Sequence, residues 1–187
     1  MTIFEAIAAG DKERVLELLH GDPSLATARN EDGVSALLFA KYHWQPEIAD
    51  VIAAAGAELD VFEAMAVGRV DRGRELLDAD PSLVSAWTQD GFTALHFAAF
   101  FGNPEGARLL IECGADVSAV ARNAMRVQPL HSAVAAGQVE IGRMLLDAGA
   151  DPSAEQQDGF LPLDAANQNG DEAMRELLLA HGARASR

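Results

Sequence analysis

Residues 91 to 116 read Gly91-Phe-Thr-Ala-Leu-His-Phe-Ala-Ala-Phe-Phe-Gly102, then Asn103, then Pro104-Glu-Gly-Ala-Arg-Leu-Leu-Ile-Glu-Cys-Gly-Ala-Asp116. Two short apolar stretches at helical spacing are punctuated by glycines, which predicts a pair of short helices joined by a tight turn. Similar layouts run from Gln128-Pro-Leu-His-Ser-Ala-Val-Ala-Ala-Gly137 into Val139 to Asp151, and from Leu161-Pro-Leu-Asp-Ala-Ala-Asn-Gln-Asn-Gly170 into Asp171 to Ala183. Upstream, sliding the chain by 58 residues places residues 3 to 60 on 61 to 118 without a gap, with 25 identical pairs. Fifty-eight residues is too long for one helical hairpin, so each block holds two.

This layout resembles the ankyrin-repeat family, whose unit of about 33 residues carries a Thr-Pro-Leu-His-x-Ala-type opening. Aligning the ends of the first helices gives Gly10, Trp44, Gly68, Gly102, Gly137 and Gly170, at spacings of 34, 24, 34, 35 and 33 residues. The resemblance implies an all-α solenoid of stacked helix-turn-helix units with connecting fingers. The whole chain, 1–187, is expected to form one domain, with approximate units 1–30, 31–58, 59–88, 89–123, 124–156 and 157–187.

Each motif residue has a physical task apart from the family name. Thr93 and Ser35 are placed to cap first helices, and Pro129 and Pro162 sit where a first turn tolerates proline. Leu95, Leu130 and Leu163 with Ala98, Ala133 and Ala166 form a narrow stripe, while Leu109/Leu110, Leu145/Leu146 and Leu177/Leu178 supply bulk from the second helices. Gly56, Gly114, Gly149 and Gly182 end the second helices, and Asp32-Gly33, Asp90-Gly91 and Asp158-Gly159 mark finger tips. Asp22-Pro23 and Asp80-Pro81 read as a helix stop followed by an extra turn. Between Gly56 and Val61 there is no room for a finger, so units two and three should join by a short loop and form the weak point of the stack. Trp44 replaces the glycine found at equivalent positions, which predicts a differently built turn. Between Ala119 and Pro129 the finger should be enlarged.

Charge and composition restrict function. The chain carries 29 acidic and 14 basic residues, a net charge of −15, and only two lysines, Lys12 and Lys41. Nucleic-acid binding needs clustered cations and is excluded as an expectation. The single Cys113 forms no internal disulfide and suits a reducing cytoplasm. No apolar run approaches the roughly 18 to 20 residues that span a bilayer, and Glu5 stands where a secretory leader would be basic.

No catalytic residue, cofactor site or metal site emerges. There is no phosphate loop, nucleophile elbow or His-Glu-x-x-His helix. His96 and His131 occupy the same position in successive units, where the resemblance implies structural hydrogen bonding between units. The aromatics, by contrast, are clustered. Trp87, Phe92, Phe100, Phe101 and Phe160, with Arg122, Met125 and Arg126 of the enlarged finger, form the candidate partner-binding set. On the resemblance, finger tips and the last turns of first helices share the concave side. The competing reading makes the rings satellite core. The resemblance implies a protein-protein interaction module, a scaffold or adaptor, acting as a monomer through its concave face, and the net charge of −15 suggests a partner with a basic face. Two other classes remain open: a regulatory or stress-protective subunit docking on a specific enzyme, and an enzyme built on an ankyrin frame.

Overall fold

A computed structural model describes residues 1–56 and 58–184. Among these, twelve α-helices follow one another in pairs: α1 (Ile3–Ala8) with α2 (Lys12–Gly21), α3 (Ala36–Tyr42) with α4 (Pro46–Ala54), and α5 (Val61–Ala66) with α6 (Val70–Ala79). Then come α7 (Ala94–Phe101) with α8 (Pro104–Glu112), α9 (Pro129–Ala135) with α10 (Val139–Asp147), and α11 (Pro162–Asn169) with α12 (Glu172–Ala180). The described residues contain no β-strand; Arg29 and Ser35 form one isolated antiparallel bridge.

The first helices stack in the order α1, α3, α5, α7, α9, α11. One core runs the length of the stack, built where small residues of first helices, such as Ala98, Ala133 and Ala166, meet bulky ones of second helices, such as Leu110, Leu145 and Leu178. Helices this short are marginal in isolation, so burial of this shared face is what holds them. The second helices pack as α2 on α4 and as α6, α8, α10, α12, and the run thins between α4 and α6. There a groove of about 1160 Å³ opens, lined by residues such as Ala54, Leu59, Arg69, Arg72 and Arg108. This is the place where the finger is lost.

Local signals act as their chemistry requires. The Ser35 hydroxyl accepts the Leu38 N–H at 3.2 Å. Asp22 and Asp80 each accept the N–H and hydroxyl of the serine two residues on, which starts a 3₁₀ turn at Pro23–Thr27 and Pro81–Ser85. Finger tips repeat one geometry: the Gly33, Gly91 and Gly159 N–H groups donate to the carbonyls of Asn30, Thr88 and Gln156. The fingers also touch their neighbours. The Arg122 N–H donates to the Gly91 carbonyl at 2.9 Å, and a Cβ on Gly91 would fall 2.8 Å from the Arg122 backbone, so only glycine fits there. The Gln89 side chain lies against Gly33.

The turn at Trp44 corrects the expectation of a different construction. Trp44 has φ of 56°, while the five glycines at equivalent positions have φ between 66° and 73°. The same left-handed turn is made by a tryptophan.

The junction of the second and third pairs is also less bare than the missing finger implies. Asp60 and Glu63 form a capping box at the start of α5, and Arg29 reaches over from the second finger to Asp60 at 3.2 Å and to Glu63 at 4.0 Å. Glu63 is buried, and burial, with the Asp60 charge second, raises its pKa above the usual carboxylate value. The Tyr42 hydroxyl at the end of α3 donates to the Asp90 carboxylate at 2.9 Å, so the second pair holds the fourth finger directly. The third pair lacks a finger, and its neighbours meet across it.

Candidate functional site

Between the fingers and the last turns of the first helices lies an apolar groove of about 370 Å³. Its floor comes from α7 and α9, with Phe97, Phe100, Phe101, Ser132 and Ala135; its finger wall carries Asp90, Phe92, Met125, Val127 and Gln156. Tyr42 closes one end. The rings pack on one another: Phe100 and Phe101 at 5.2 Å edge to face, Phe97 and Phe101 at 6.2 Å, Phe92 and Phe97 at 6.0 Å, Tyr42 and Phe101 at 6.0 Å. Such pairs fix ring orientation as well as burying area.

The sequence-based set divides here. Phe92, Phe100, Phe101 and Met125 come together around the groove. Trp87 and Arg122 pair with each other beside it, the guanidinium 4.2 Å from the indole centroid, a cation-π contact. Phe160 and Arg126 do not line it, so the continuous patch expected from sequence is corrected to a groove plus one flanking pair. Phe100 and Phe101 are half-buried rather than exposed, and they differ from one another: Phe92 and Phe101 pack against the core, whereas Phe100 stays outside it.

His96 and His131 stand beneath the groove with every ring nitrogen engaged. Thr93 donates both its N–H and its hydroxyl to His96 Nδ1, so Nε2 carries the proton and donates to the Val127 carbonyl at 3.1 Å. His131 repeats this, accepting the Gln128 N–H and donating to the Ala154 carbonyl at 3.0 Å. Burial, the largest cause, pulls the His96 pKa down to about 4 and lowers that of His131. Both imidazoles are neutral ties from one helix pair to the next finger. Among the described residues no group of three His, Cys, Asp or Glu side chains is placed to hold a metal ion.

A family model described as "Ankyrin repeats (3 copies)" matches residues 3–121 and 52–156. The chain belongs to the ankyrin-repeat family. A crystal structure of an ankyrin repeat domain from Acinetobacter baumannii AYE is similar, with 30% identity, a TM-score of 0.62, and coverage of 97% of this chain and 98% of that one. None of the curated proteins compared matches the chain. Ankyrin repeats are generally protein-protein interaction modules, typically without catalysis. No helix among the described residues is long and apolar enough to cross a membrane.

Sequence reasoning missed Tyr42 and Trp44. The signal was present in the 58-residue slide, which places Tyr42 on Phe100 and Trp44 on Gly102. The slide also carries an aromatic contact twice, Phe4 with Phe39 at 5.3 Å and Phe62 with Phe97 at 6.0 Å. Contact between Trp44 and Phe100, 5.9 Å centroid to centroid, skips a whole helix pair and has no counterpart in the sequence pattern.

Proposed function

We propose that this ankyrin-repeat chain is a protein-recognition module that takes an apolar segment of a partner into the groove between fingers and first helices of the fourth and fifth pairs. The observation that carries the reading is the groove itself, whose aromatic floor and wall stay partly open to solvent although a packed stack has no need of them. Phe100 is the clearest anchor, since it lies outside the core that Phe101 and Phe92 help to close. Aromatic anchors of this kind dominate interface energetics. The net charge of −15 favours a partner with a basic face and speeds encounter with one. The chain acts by binding, as a monomer, in a reducing cytoplasm where the exposed Cys113 stays a thiol.

Photo-crosslinking in the source cells tests this. A crosslinking residue at Ala135, on the groove, should capture a partner that the same residue at Glu112, on a second helix, does not. Phe100→Ala should weaken that partner's binding by about 2 kcal/mol, a hot-spot magnitude, with the melting temperature nearly unchanged. Equal capture from both positions, or a Phe100→Ala chain that binds normally, refutes the reading.

A further inference from the structure

Trp44 combines two costs. It holds a left-handed backbone that an L side chain adopts only at a penalty, and its side chain is left in water, with 70% of the residue exposed. In return the fold gains one ring contact, with Phe100. The five equivalent positions make the same turn with glycine, and the exposed indole is absent from the hydrophobic packing, touching one ring, Phe100. A tryptophan at a position where glycine would be easier points to use of the ring itself.

Cation placement narrows that use. Two aromatic faces at or beside the groove already carry a cation of the chain, Lys41 Nζ 4.7 Å from the Phe101 centroid and Arg122 4.2 Å from Trp87. Among the described residues no Lys or Arg stands over Trp44. Indole offers the strongest cation-π face of the side chains, and a chain of net charge −15 draws basic ligands.

We propose that Trp44 is a binding residue whose exposed face takes an arginine or lysine side chain of the partner, extending the groove site toward the second helix pair. This rests on the groove reading above and names the chemistry at its edge: a basic residue flanking the apolar segment that fills the groove.

The test uses peptides selected from a random display library on the full wild-type chain, each then measured on Trp44→Gly, Trp44→Phe and the groove-blocking Ala135→Gln. Selected peptides should be enriched in Arg or Lys, bind Trp44→Gly about tenfold more weakly, and retain most affinity for Trp44→Phe. Trp44→Gly should melt at the wild-type temperature or a few degrees above it, because strain is relieved. Peptides sensitive to Ala135→Gln but indifferent to Trp44→Gly overturn the Trp44 proposal and leave the groove reading standing. Dependence on Trp44 without basic enrichment overturns the cation assignment, and a Trp44→Gly chain that melts several degrees lower makes Trp44 a structural residue. Peptides indifferent to both changes, or no enrichment at all, overturn both readings.

Discussion

Lowering the pH should weaken the stack through His96. The residue is 2% exposed, and its folded-state pKa is about 4 against a usual value near 6.5. Below the unfolded-state value the unfolded chain binds a proton that the folded chain refuses, so stability is fully present above about pH 6.5 and falls as the pH drops toward 4. Within that window the slope is about 1.4 kcal/mol per pH unit. Between about pH 7.5 and about pH 5.5 roughly one unit lies inside the window, and the loss is about 1.3 kcal/mol. Staying at that pH avoids the isoelectric region near 4.5. Other groups titrate too, so the assay is urea unfolding of wild type and His96→Gln at both pH values, read as the difference between the chains. The acidic surface is common to both and cancels, and His131, whose charge is only the third-ranked influence on His96, nearly does. At the higher pH the variant should be less stable by about 1–3 kcal/mol, since it disturbs the bonds to Thr93 and Val127. At the lower pH that gap should narrow by about 1.3 kcal/mol. A gap that stays constant, or widens on acidification, refutes the assignment of His96 as a buried neutral tie.

Tyr42→Phe should cost about 1.5 kcal/mol by removing a hydrogen bond to a carboxylate that joins the second pair to the fourth finger, measured by urea unfolding near neutral pH. Burial first, then the Asp90 charge, raises the Tyr42 pKa, so this contribution is fully present below the unfolded value near 10 and is lost at higher pH, where the gap between the two chains should close. Native-state hydrogen exchange should show the earliest opening in α4 and the connection before α5, where the second-helix run thins, with α3 held longer by Tyr42; uniform protection across residues 44 to 68 would end that expectation.

Much of the fold was legible because its determinants are short in range. Helix starts at Ser35, Pro129 and Pro162, the stops at Asp22 and Asp80, and the glycines that end helices each depend on a few neighbouring backbone groups, so a local pattern suffices to locate them. Repetition of that pattern then implies stacking, because one helix pair cannot bury its apolar face alone. Half of the candidate site was legible for the same reason: Phe92, Phe100, Phe101 and Met125 occupy repeat positions that face the groove. Trp87 and Arg122 were expected within one continuous patch and instead pair with each other beside the groove, while Phe160 stands outside it.

The sequence alone determined a periodic chain of helix pairs, one missing finger, and the equivalent places of His96 and His131 in successive units; that their rings tie each pair to the next finger is a finding of the structure. Tertiary structure decided what the missing finger does. Removing it from the third pair lets the second and fourth approach, so Tyr42 meets Asp90 48 residues away and Trp44 meets Phe100. Such contacts depend on how successive layers are displaced and rotated, a sum over the whole stack that no local spacing encodes. Trp44 shows the same division in one residue: its place at the end of a first helix follows from the repeat, while its left-handed backbone and open indole face follow from the packing around it. All six first helices end in the same left-handed turn, five with glycine and one with tryptophan, so the cost of a tryptophan there is borne by the fold as a whole.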